Sequence, residues 1–549
     1  MSAAPRNASA GPASTPLPPP NLSLGTWPGR RARITPDAVA LQQGSRSLTY
    51  AQLDERVRRA ARVLVDAGVG KGDRVAYLGP NDLATFEVFF AAGLVGAVAV
   101  HLNTRLAAPE IAYMLGDCDP TVMVYSRSLA PLVPAAGQWP ASLRLLLVLE
   151  RPDEGDDTPE PAHGLYDSWL ETARPLALGE LGYPVGLDDP ALILYTSGTT
   201  GRPKGAVLTH GNLTFNTMNQ LAHFDSLSTD RGLCFSPLFH VVGLGQVTLP
   251  TLFKGGSVEV MPRFDAGAVL AAIHERRITA FAAVPTMLQL MSEHPSWAAA
   301  DLSSLRLVVY GGSPVQERVA RAWQERGVIV LQGFGMTEAA PGVTMAIEDG
   351  ALAKPVSIGP PHFFTDLAGF SGGRPVGLPI GLAGEPVELL VRGPNVFAGY
   401  WQRDGETETA FPEPGWFRTG DIVRQDDHGW FYAVDRAKDM IISGGENIYP
   451  AEVEAALVDL DEIASAAVVG TADERWGEVG WAFVELRPGS TLTEDAVRRH
   501  LTERLAKYKV PRYVSFVDAL PRNATGKILR AKLREQIAEK TDPQHGWSS

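Results

Sequence analysis

The segment from Tyr195 to Gly205, YTSGTTGRPKG, is rich in residues that can bind an anion. It contains three glycines, four Ser or Thr hydroxyls and one lysine. Glycines let backbone N–H groups approach an anion closely, hydroxyls add donors, and lysine adds charge. The segment therefore predicts a loop that holds the phosphates of a nucleotide, although a plain surface turn has a similar composition. It is not a Walker A loop, because Lys204 is followed by Gly205 and not by Ser or Thr.

Further segments with chemistry-bearing residues follow in the second half of the chain. Two of them come directly after apolar runs that are typical of buried strands. Their glycines suit close backbone approach to a ligand, and their carboxylates and basic residues suit a nucleotide and a metal ion. These segments are 311–314 (GGSP), 333–338 (GFGMTE), 418–421 (RTGD), 435–439 (DRAKD), 442–450 (ISGGENIYP) and 521–529 (PRNATGKIL).

Taken in order with the phosphate loop, these six segments resemble the motifs of the acyl-adenylate-forming superfamily. The resemblance extends over residues 30–537 and is strongest toward AMP-forming acyl-CoA synthetases, of both fatty-acyl and hydroxycinnamoyl or feruloyl types. It implies an ATP-dependent carboxylic acid:CoA ligase that forms an acyl-adenylate and then a thioester. It also implies ATP, Mg²⁺ and coenzyme A as cofactor and co-substrates.

The resemblance implies a role for each motif residue in nucleotide binding. The β- and γ-phosphates would be held by Thr196, Ser197, Gly198, Thr199, Thr200 and Lys204. Adenine would lie against Gly311, Gly312 and Ser313 and stack on Phe334. The α-phosphate and Mg²⁺ would bind at Thr337 and Glu338, a carboxylate being a suitable hard oxygen ligand. The ribose would bind at Asp421, with Arg436 nearby.

The remaining implied roles concern the acid and the two chemical steps. Lys527 would assist attack of the substrate carboxylate on the α-phosphorus, and His240 would orient the acyl group near the pantetheine tunnel. Lys438 would be the hinge of a mobile C-terminal domain, and Gly444 and Gly445 would allow pantetheine to pass. The small residues Gly243, Gly245, Ala339, Ala340 and Gly342 predict room for a long or bulky acid, fatty or hydroxycinnamic.

The elements that position these residues alternate between strands and helices. Thr49 and Gln52 form a capping-box pattern that begins a helix, and Gly68 ends it. Such alternation predicts an α/β fold with parallel-rich sheets flanked by helices. Apolar runs typical of strands are 74–78, 121–125, 145–149, 191–194, 257–261 and 307–310, and helical patterns are 81–94, 266–276 and 315–325.

Shorter elements follow residue 435 and predict a small, mobile α+β domain. They are a loop at 443–449, helices at 451–458 and 494–505, and strands at 466–469, 481–486 and 513–517. The predicted organisation is therefore a disordered tail (1–24), an N-terminal AMP-binding domain (25–435) and a C-terminal domain (436–540). In segment 362–388 the Gly-rich sequence departs from the family pattern, which leaves the strand pairing open there.

Composition restricts the function further. The 549 residues are 45% hydrophobic and 20% charged, as in ordinary globular proteins, and the net charge of −13 argues against nucleic-acid binding. Only two cysteines occur and no signal peptide or spanning segment is evident, so we expect a cytoplasmic enzyme with small-molecule partners and no membrane segment. Two alternatives remain: an adenylation enzyme that loads a carrier protein, and a non-catalytic nucleotide-binding relative.

Overall fold

The computed structural model describes residues 20–135, 137–150, 164–196, 203–312, 317–351, 353–354, 356–377, 386–436, 439–443, 446–473, 476–505, 507–523 and 526–541. The strands are β1 Val39–Gln43, β2 Arg46–Thr49, β3 Arg74–Leu78, β4 Val98–His101, β5 Val122–Ser126, β6 Leu145–Leu149, β7 Pro190–Thr196, β8 Lys204–Thr209, β9 Arg231–Cys234, β10 Ser257–Val260, β11 Ala280–Ala283, β12 Leu307–Tyr310, β13 Ile329–Gly335, β14 Gly342–Met345, β15 Asp366–Ser371, β16 Arg374–Val376, β17 Val387–Arg392, β18 Gly399–Tyr400, β19 Phe417–Gln425, β20 Phe431–Arg436, β21 Ile441–Ser443, β22 Glu446–Ile448, β23 Ile463–Asp473, β24 Gly477–Leu486 and β25 Tyr513–Val517. The α-helices are α1 Trp27–Ala32, α2 Tyr50–Asp66, α3 Leu83–Leu94, α4 Ala108–Cys118, α5 Tyr166–Thr172, α6 His210–His223, α7 Val241–Gly245, α8 Thr248–Lys254, α9 Ala266–Glu275, α10 Pro285–Ser292, α11 Glu317–Gln324, α12 Glu348–Ala351, α13 Asp404–Ala410, α14 Pro450–Val458, α15 Glu494–Thr502 and α16 Arg530–Thr541.

Two large sheets form the main body. Among the described residues, one has seven strands in the order β18-β8-β7-β4-β3-β5-β6, and the other has eight in the order β14-β13-β12-β11-β9-β10-β1-β2. Their central strands are parallel, and antiparallel strands occur toward the edges. Strands such as Leu145–Leu149 are buried throughout, because helices cover both faces. The predicted α/β class is confirmed.

Local sequence signals explain where several of these elements begin. Thr49 and Gln52 make both hydrogen bonds of the predicted capping box, Gln52 N to Thr49 Oγ1 at 3.2 Å and Thr49 N to Gln52 Oε1 at 2.9 Å. The capping hydroxyl satisfies one of the N–H groups that a helix start leaves without an intrahelical partner. Asp82 caps α3 in the same way, accepting from Ala84 N at 2.9 Å.

Segment 362–388, whose pairing the sequence left open, forms part of a regular antiparallel sheet. This third sheet has the order β16-β15-β17-β19-β20, and β15 pairs with β17 from Asp366↔Arg392 to Phe370↔Glu388. Residues 378–385 lie outside the described part of the chain. The sheet matters for function because β19 and β20 carry the predicted ribose-binding motif.

The small C-terminal domain is built on β21 to β25. Strands β22, β21, β24 and β23 pair in that order, and β25 lies parallel to β24. Segment 443–449, predicted as a loop, contains one strand of an antiparallel hairpin, since Ile441 pairs with Ile448. Both side chains are buried in the core of this domain, which favours pairing over an exposed loop. The α+β character is confirmed.

The first described residues pack on the main body. Leu22 N donates to Val185 O at 2.8 Å, and Leu24 is 1% exposed. Of the tail predicted for 1–24, residues 20–24 are thus bound to the domain, because an apolar side chain inserts there. No helix in the described part of the chain is long and apolar enough to cross a membrane.

Candidate active site

The residues on either side of the predicted phosphate loop are the paired ends of two antiparallel strands. Thr196, the last residue of β7, pairs with Lys204, the first residue of β8. Strand β18 adds to the other side of β8, with Tyr400 opposite Ala206, and Trp401 N donates to Gly205 O at 2.7 Å. The sheet therefore fixes both ends of the loop and brings Tyr400 to it from almost 200 residues away.

Lys204 and Glu338 meet around Tyr400. The Lys204 ammonium lies 5.3 Å from the centre of the Tyr400 ring and forms an ion pair with Glu406. The Tyr400 hydroxyl donates to Glu338 Oε1 at 3.0 Å, and Phe397 N donates to Glu338 O at 2.8 Å. A cation and a carboxylate predicted to bind opposite ends of a metal-bound triphosphate thus lie on either side of one tyrosine.

The predicted adenine site lies at the carboxyl ends of neighbouring parallel strands. Tyr310 of β12 pairs with Gln332 of β13, so Gly311 and Gly333 share one sheet edge. A Cβ at Gly311 would lie 2.5 Å from Gly333 O, so this close approach needs glycine. Gly312 has φ of +90° and open space beside it, its nearest neighbour being Val284 Cγ1 at 3.9 Å from a Cβ position.

Phe334 follows on β13 and is partly exposed. It pairs with Thr344 of β14 and packs against the main hydrophobic core. Partial exposure is compatible with stacking on a base, which a fully buried core ring could not do.

The predicted ribose motif lies on two paired strands. Asp421 of β19 is opposite Arg436 of β20, and its side chain is only 6% exposed. Asp421 N donates to Thr419 Oγ1 at 3.0 Å, and Thr419 Oγ1 donates to Leu389 O at 2.8 Å. Gly420 between them has φ of +71°, a conformation that favours glycine. This irregularity lies within β19, where the register with β17 shifts, and its hydrogen bonds hold Asp421 in place.

His240 directly precedes the first residue of α7. Two residues before it, Leu238 makes two hydrogen bonds that hold this segment. Its N–H donates to Asn81 Oδ1 at 2.9 Å, and its carbonyl oxygen lies 2.9 Å from His101 Nδ1. Among the described residues, no group hydrogen-bonds to His240 Nε2. Burial, with a smaller contribution from the charge of Arg105, lowers the pKa of His240 to about 4. The imidazole is therefore neutral at physiological pH.

The turn with Lys527 reaches the main body at α10. Asn523 N donates to Lys527 O at 2.8 Å and Lys527 N donates to Asn523 Oδ1 at 2.9 Å, which closes the turn. A Cβ on Gly526 would lie 2.9 Å from Thr286 Oγ1. Thr286 is the second residue of α10, which follows β11, and Ala283 at the end of β11 pairs with Tyr310. The exposed Lys527 is thus at the sheet edge that carries Gly311 and Gly312.

Several predicted site residues lie outside the described part of the chain. For Arg436 only the backbone is described. The predicted site residues that lie wholly outside the described part are Ser197, Gly198, Thr199, Thr200, Ser313, Lys438, Gly444 and Gly445. Their assigned roles stay predictions.

The structure also adds two residues that the sequence did not single out, Tyr400 and Glu406. Tyr400 lies in the short segment GYW, whose only sequence signal is an aromatic pair after a glycine. Glu406 is one of several acidic residues on the largely exposed helix α13. Only tertiary pairing of β18 with β8 brings both residues to Lys204.

The space beside the small residues that were predicted to give room to the acid is instead occupied by other protein atoms. Cβ positions at Gly243, Gly245 and Gly342 would lie 2.5 Å from Pro237 O, 2.4 Å from Pro341 Cδ and 2.8 Å from Gln220 Nε2. Ala339 and Ala340 are 0% exposed and belong to the main core. Their small size serves close packing between segments, so the prediction of space for the acid at these positions is wrong.

Comparison with known proteins agrees with this geometry. Residues 29–401 match the model of the AMP-binding enzyme family, and residues 452–527 match that of the AMP-binding enzyme C-terminal domain. The chain belongs to the AMP-binding enzyme family. Within it, the chain is an AMP-forming acyl-CoA synthetase, which uses ATP and Mg²⁺ and has CoA as co-substrate.

Individual relatives in this family cover nearly the whole chain. A feruloyl-CoA synthase from Amycolatopsis sp is 47% identical over 94% of this chain and 99% of its own length. A long-chain-fatty-acid–CoA ligase from Mycobacterium tuberculosis is 37% identical, with 94% and 99% covered. Among solved structures, o-succinylbenzoate CoA synthetase (MenE) from Bacillus subtilis in complex with ATP and magnesium ion has a TM-score of 0.79 at 31% identity, with 93% and 99% covered.

Proposed function

We propose that this AMP-binding enzyme activates a hydroxycinnamic-type acid, such as ferulate, as an acyl-adenylate and transfers the acyl group to CoA. The 47% identity to a feruloyl-CoA synthase supports this choice of acid. A medium- or long-chain fatty acid is the second candidate, because the fatty-acid ligase relative is 37% identical over the same extent.

The meeting of Lys204, Tyr400 and Glu338 supports the adenylation step best. Lys204 has the charge to hold the β- and γ-phosphates, and Glu338 with Thr337 offers hard oxygen atoms to Mg²⁺. No cluster of three metal-ligating side chains occurs among the described residues, so phosphate and water oxygens would complete the metal shell. Bound Mg²⁺ would neutralise charge on the triphosphate.

In the first step, a carboxylate oxygen of the acid attacks the α-phosphorus of ATP and pyrophosphate leaves. The protein contributes mainly positioning and charge stabilisation to such a transfer. Lys527 is proposed to bridge the carboxylate and the α-phosphate. The contact of its turn with Thr286, beside Gly312, supports this role. Asp421 and Arg436 are proposed to hold the ribose, and Phe334 with Gly311 and Gly312 to hold adenine.

In the second step, the CoA thiolate attacks the acyl carbon and AMP leaves. The chain's own cysteines are unsuited to this attack, since Cys118 and Cys234 are free but buried, and burial raises the pKa of each to about 12. Neutral His240 is proposed to orient the acyl group. We further propose that the C-terminal domain, from residue 436 onward, rotates about Lys438 between the steps and brings Gly444 and Gly445 to the site. Two reduced cysteines are consistent with a cytoplasmic enzyme.

The test is pyrophosphate release from ATP and Mg²⁺ with acetate, octanoate, palmitate, benzoate or ferulate, each with and without CoA. We expect the highest kcat/KM with ferulate, and multiple turnovers only when CoA is present. Preference for palmitate would favour the fatty-acid alternative. Release without any CoA requirement would point to a carrier-loading enzyme, and no release with any acid would contradict the proposed function.

A further inference from the structure

Helix α6 buries a row of side-chain amides. Asn212, Asn216, Asn219 and Gln220 recur at helical spacing, and their exposed fractions are 7%, 0%, 0% and 0%. A buried amide destabilises a fold unless it is hydrogen-bonded. The hydrogen-bond partners of these amides therefore indicate which segments the row connects.

Asn216 joins two segments of the active site. Its Nδ2 donates to Gly245 O at 2.8 Å, and its Oδ1 accepts from Gly342 N at 3.0 Å. Gly245 ends α7, the helix that His240 precedes. Gly342 follows the 3₁₀ turn Thr337–Ala339, which carries Glu338.

The two segments are closely packed at this point, at Gly245 on one side and Ala340 and Pro341 on the other. A Cβ at Gly245 would lie 2.4 Å from Pro341 Cδ and 2.7 Å from Ala340 O. From the other side, Asn395 Nδ2 donates to Gly342 O at 2.7 Å and to Ala339 O at 3.2 Å. Residues 339–342 are therefore hydrogen-bonded to two buried amides, Asn216 and Asn395. Of these two, Asn216 also bonds to α7.

We propose that Asn216 is a positioning residue that sets the distance between the acid-binding side of the site, at His240, and the phosphate and metal side, at Thr337 and Glu338. This inference rests on the proposed function, in which the acid carboxylate must reach the α-phosphorus in line. A displacement of about 1 Å in such an alignment can lower the rate about 10²-fold, even when the substituted residue does not touch the substrate.

Helix α6 provides a matched control in Asn219. Asn219 is equally buried and makes two hydrogen bonds, to Thr365 Oγ1 at 3.3 Å and from Phe364 N at 2.8 Å. Asn216 differs from it by one longer contact within the same helix, from Gln220 Nε2 at 3.5 Å. Neither bond of Asn219 goes directly to α7 or to residues 337–342. Asn219 reaches that turn only at second hand, because Thr365 Oγ1 donates to Asn395 Oδ1 at 3.2 Å. Asn216→Leu and Asn219→Leu thus remove the same atoms, and each leaves one backbone N–H without its side-chain acceptor.

The test compares the single-turnover rate constant of acyl-adenylate formation, which does not depend on the folded fraction. We expect both variants to have a similarly lowered Tm. We expect the rate constant to fall about 10²-fold in Asn216→Leu, with KM for ATP nearly unchanged, and to stay within about twofold of wild type in Asn219→Leu. Equal rate constants in the two variants would overturn the proposal. If either leucine variant does not fold, the pair Asn216→Ala and Asn219→Ala replaces it.

A second measurement is independent of activity. Hydrogen exchange of a peptide covering residues 337–345 reports how firmly the turn is held. Exchange there should be faster in Asn216→Leu and unchanged in Asn219→Leu, and unchanged exchange in Asn216→Leu would also overturn the proposal. If wild type releases no pyrophosphate with any acid, the proposed function fails, while exchange still decides whether Asn216 holds the two segments together.

Discussion

Charged groups at the proposed phosphate and metal sites already have protein partners. Lys204 pairs with Glu406 beside the Tyr400 ring, and Glu338 accepts from the Tyr400 hydroxyl. Such contacts restrict the side chains to few rotamers, so less conformational entropy is lost when a nucleotide binds. At the residue scale, the site is therefore ordered by contacts among its own side chains.

Lys527→Ala should remove the first step while sparing the second. The predicted loss in acyl-adenylate formation is about 10²–10⁴-fold, the scale for one preorganised contact to a developing charge. Thioester formation from supplied acyl-adenylate should persist. Because Lys527 is exposed, the Tm should stay at the wild-type value, and an equal loss in both half-reactions would contradict this assignment.

Glu338→Gln should raise the Mg²⁺ concentration needed for half-maximal pyrophosphate release, because a neutral amide is a poorer ligand for a hard cation. Tyr400→Phe is the matched comparison, since it removes the hydrogen bond to Glu338 Oε1 and leaves the carboxylate. We expect a smaller shift in that variant. A Mg²⁺ titration of Glu338→Gln that overlays wild type would argue against a metal role.

At the scale of elements, helix α6 joins the main sheets, the amide row and the N-terminal segment. His210, its first residue, is 0% exposed, and its Nδ1 accepts from Leu24 N at 3.3 Å. Burial lowers the pKa of His210 to about 4. Between about pH 4 and 6.5 the ring is therefore neutral in the folded chain, whereas in the unfolded chain, with an ordinary histidine pKa near 6.5, it carries a proton.

This difference makes stability fall as the pH drops below about 6.5. The unfolded state binds more protons between pH 6.5 and 4, so acid favours unfolding. His210 alone should contribute about 1.4 kcal/mol of lost stability between pH 7.5 and 5.5. His210→Asn keeps a polar acceptor at α6 and takes up no proton, so its Tm should fall less over this range. Parallel pH profiles of Tm for variant and wild type would contradict the assignment.

Many of these elements could be predicted from the sequence, and the exceptions have physical causes. Apolar runs such as Leu145–Leu149 and the Thr49 capping box indicated their elements correctly, because burial and local hydrogen bonds determine them. Helix α6 gave no apolar stripe, since its buried face carries amides whose partners lie far along the chain. A short strand such as β22 depends on its pairing with β21, which local sequence does not reveal.

The residues of the candidate site likewise divide into those that the sequence indicates and those that it does not. Motif residues such as Glu338 and Asp421 could be singled out, because their neighbours in sequence form a recognisable pattern, and their roles stay predictions. Tyr400, Glu406 and Asn216 could not, since their importance comes from contacts between distant segments. The small residues were misread for a related reason: sequence shows that a side chain is absent, but not which atoms occupy its place.

At the scale of the whole molecule, the small domain contacts the main body at separate points. Its Lys527 turn approaches Thr286, and Arg487 Nη1 lies 3.4 Å from Glu293 Oε1. Arg487 and Glu293 are both partly exposed, and exposed ion pairs of this kind contribute little, about 0–1 kcal/mol. These contacts are compatible with a domain that detaches between the two steps.

Lys438→Pro should separate the half-reactions in the opposite sense to Lys527→Ala. Proline fixes φ near −65°, so rotation about this residue is hindered. Pyrophosphate should be released about once per site, because the Lys527 turn can still reach the nucleotide, whereas transfer to CoA should collapse. A variant with wild-type Tm and wild-type thioester turnover would contradict domain rotation about Lys438 and leave the adenylation step unaffected.

Strand β18 has a consequence for how the chain can be cut. This two-residue strand covers the outer side of β8, although it follows β17 of the third sheet in the chain. A fragment that stops at residue 398 would leave β8 as an open edge, which is a template for aggregation between chains. It would also lose the tyrosine between Lys204 and Glu338. Fragments of the large domain made for crystallisation or fusion should therefore extend past Trp401, whose N–H closes on Gly205.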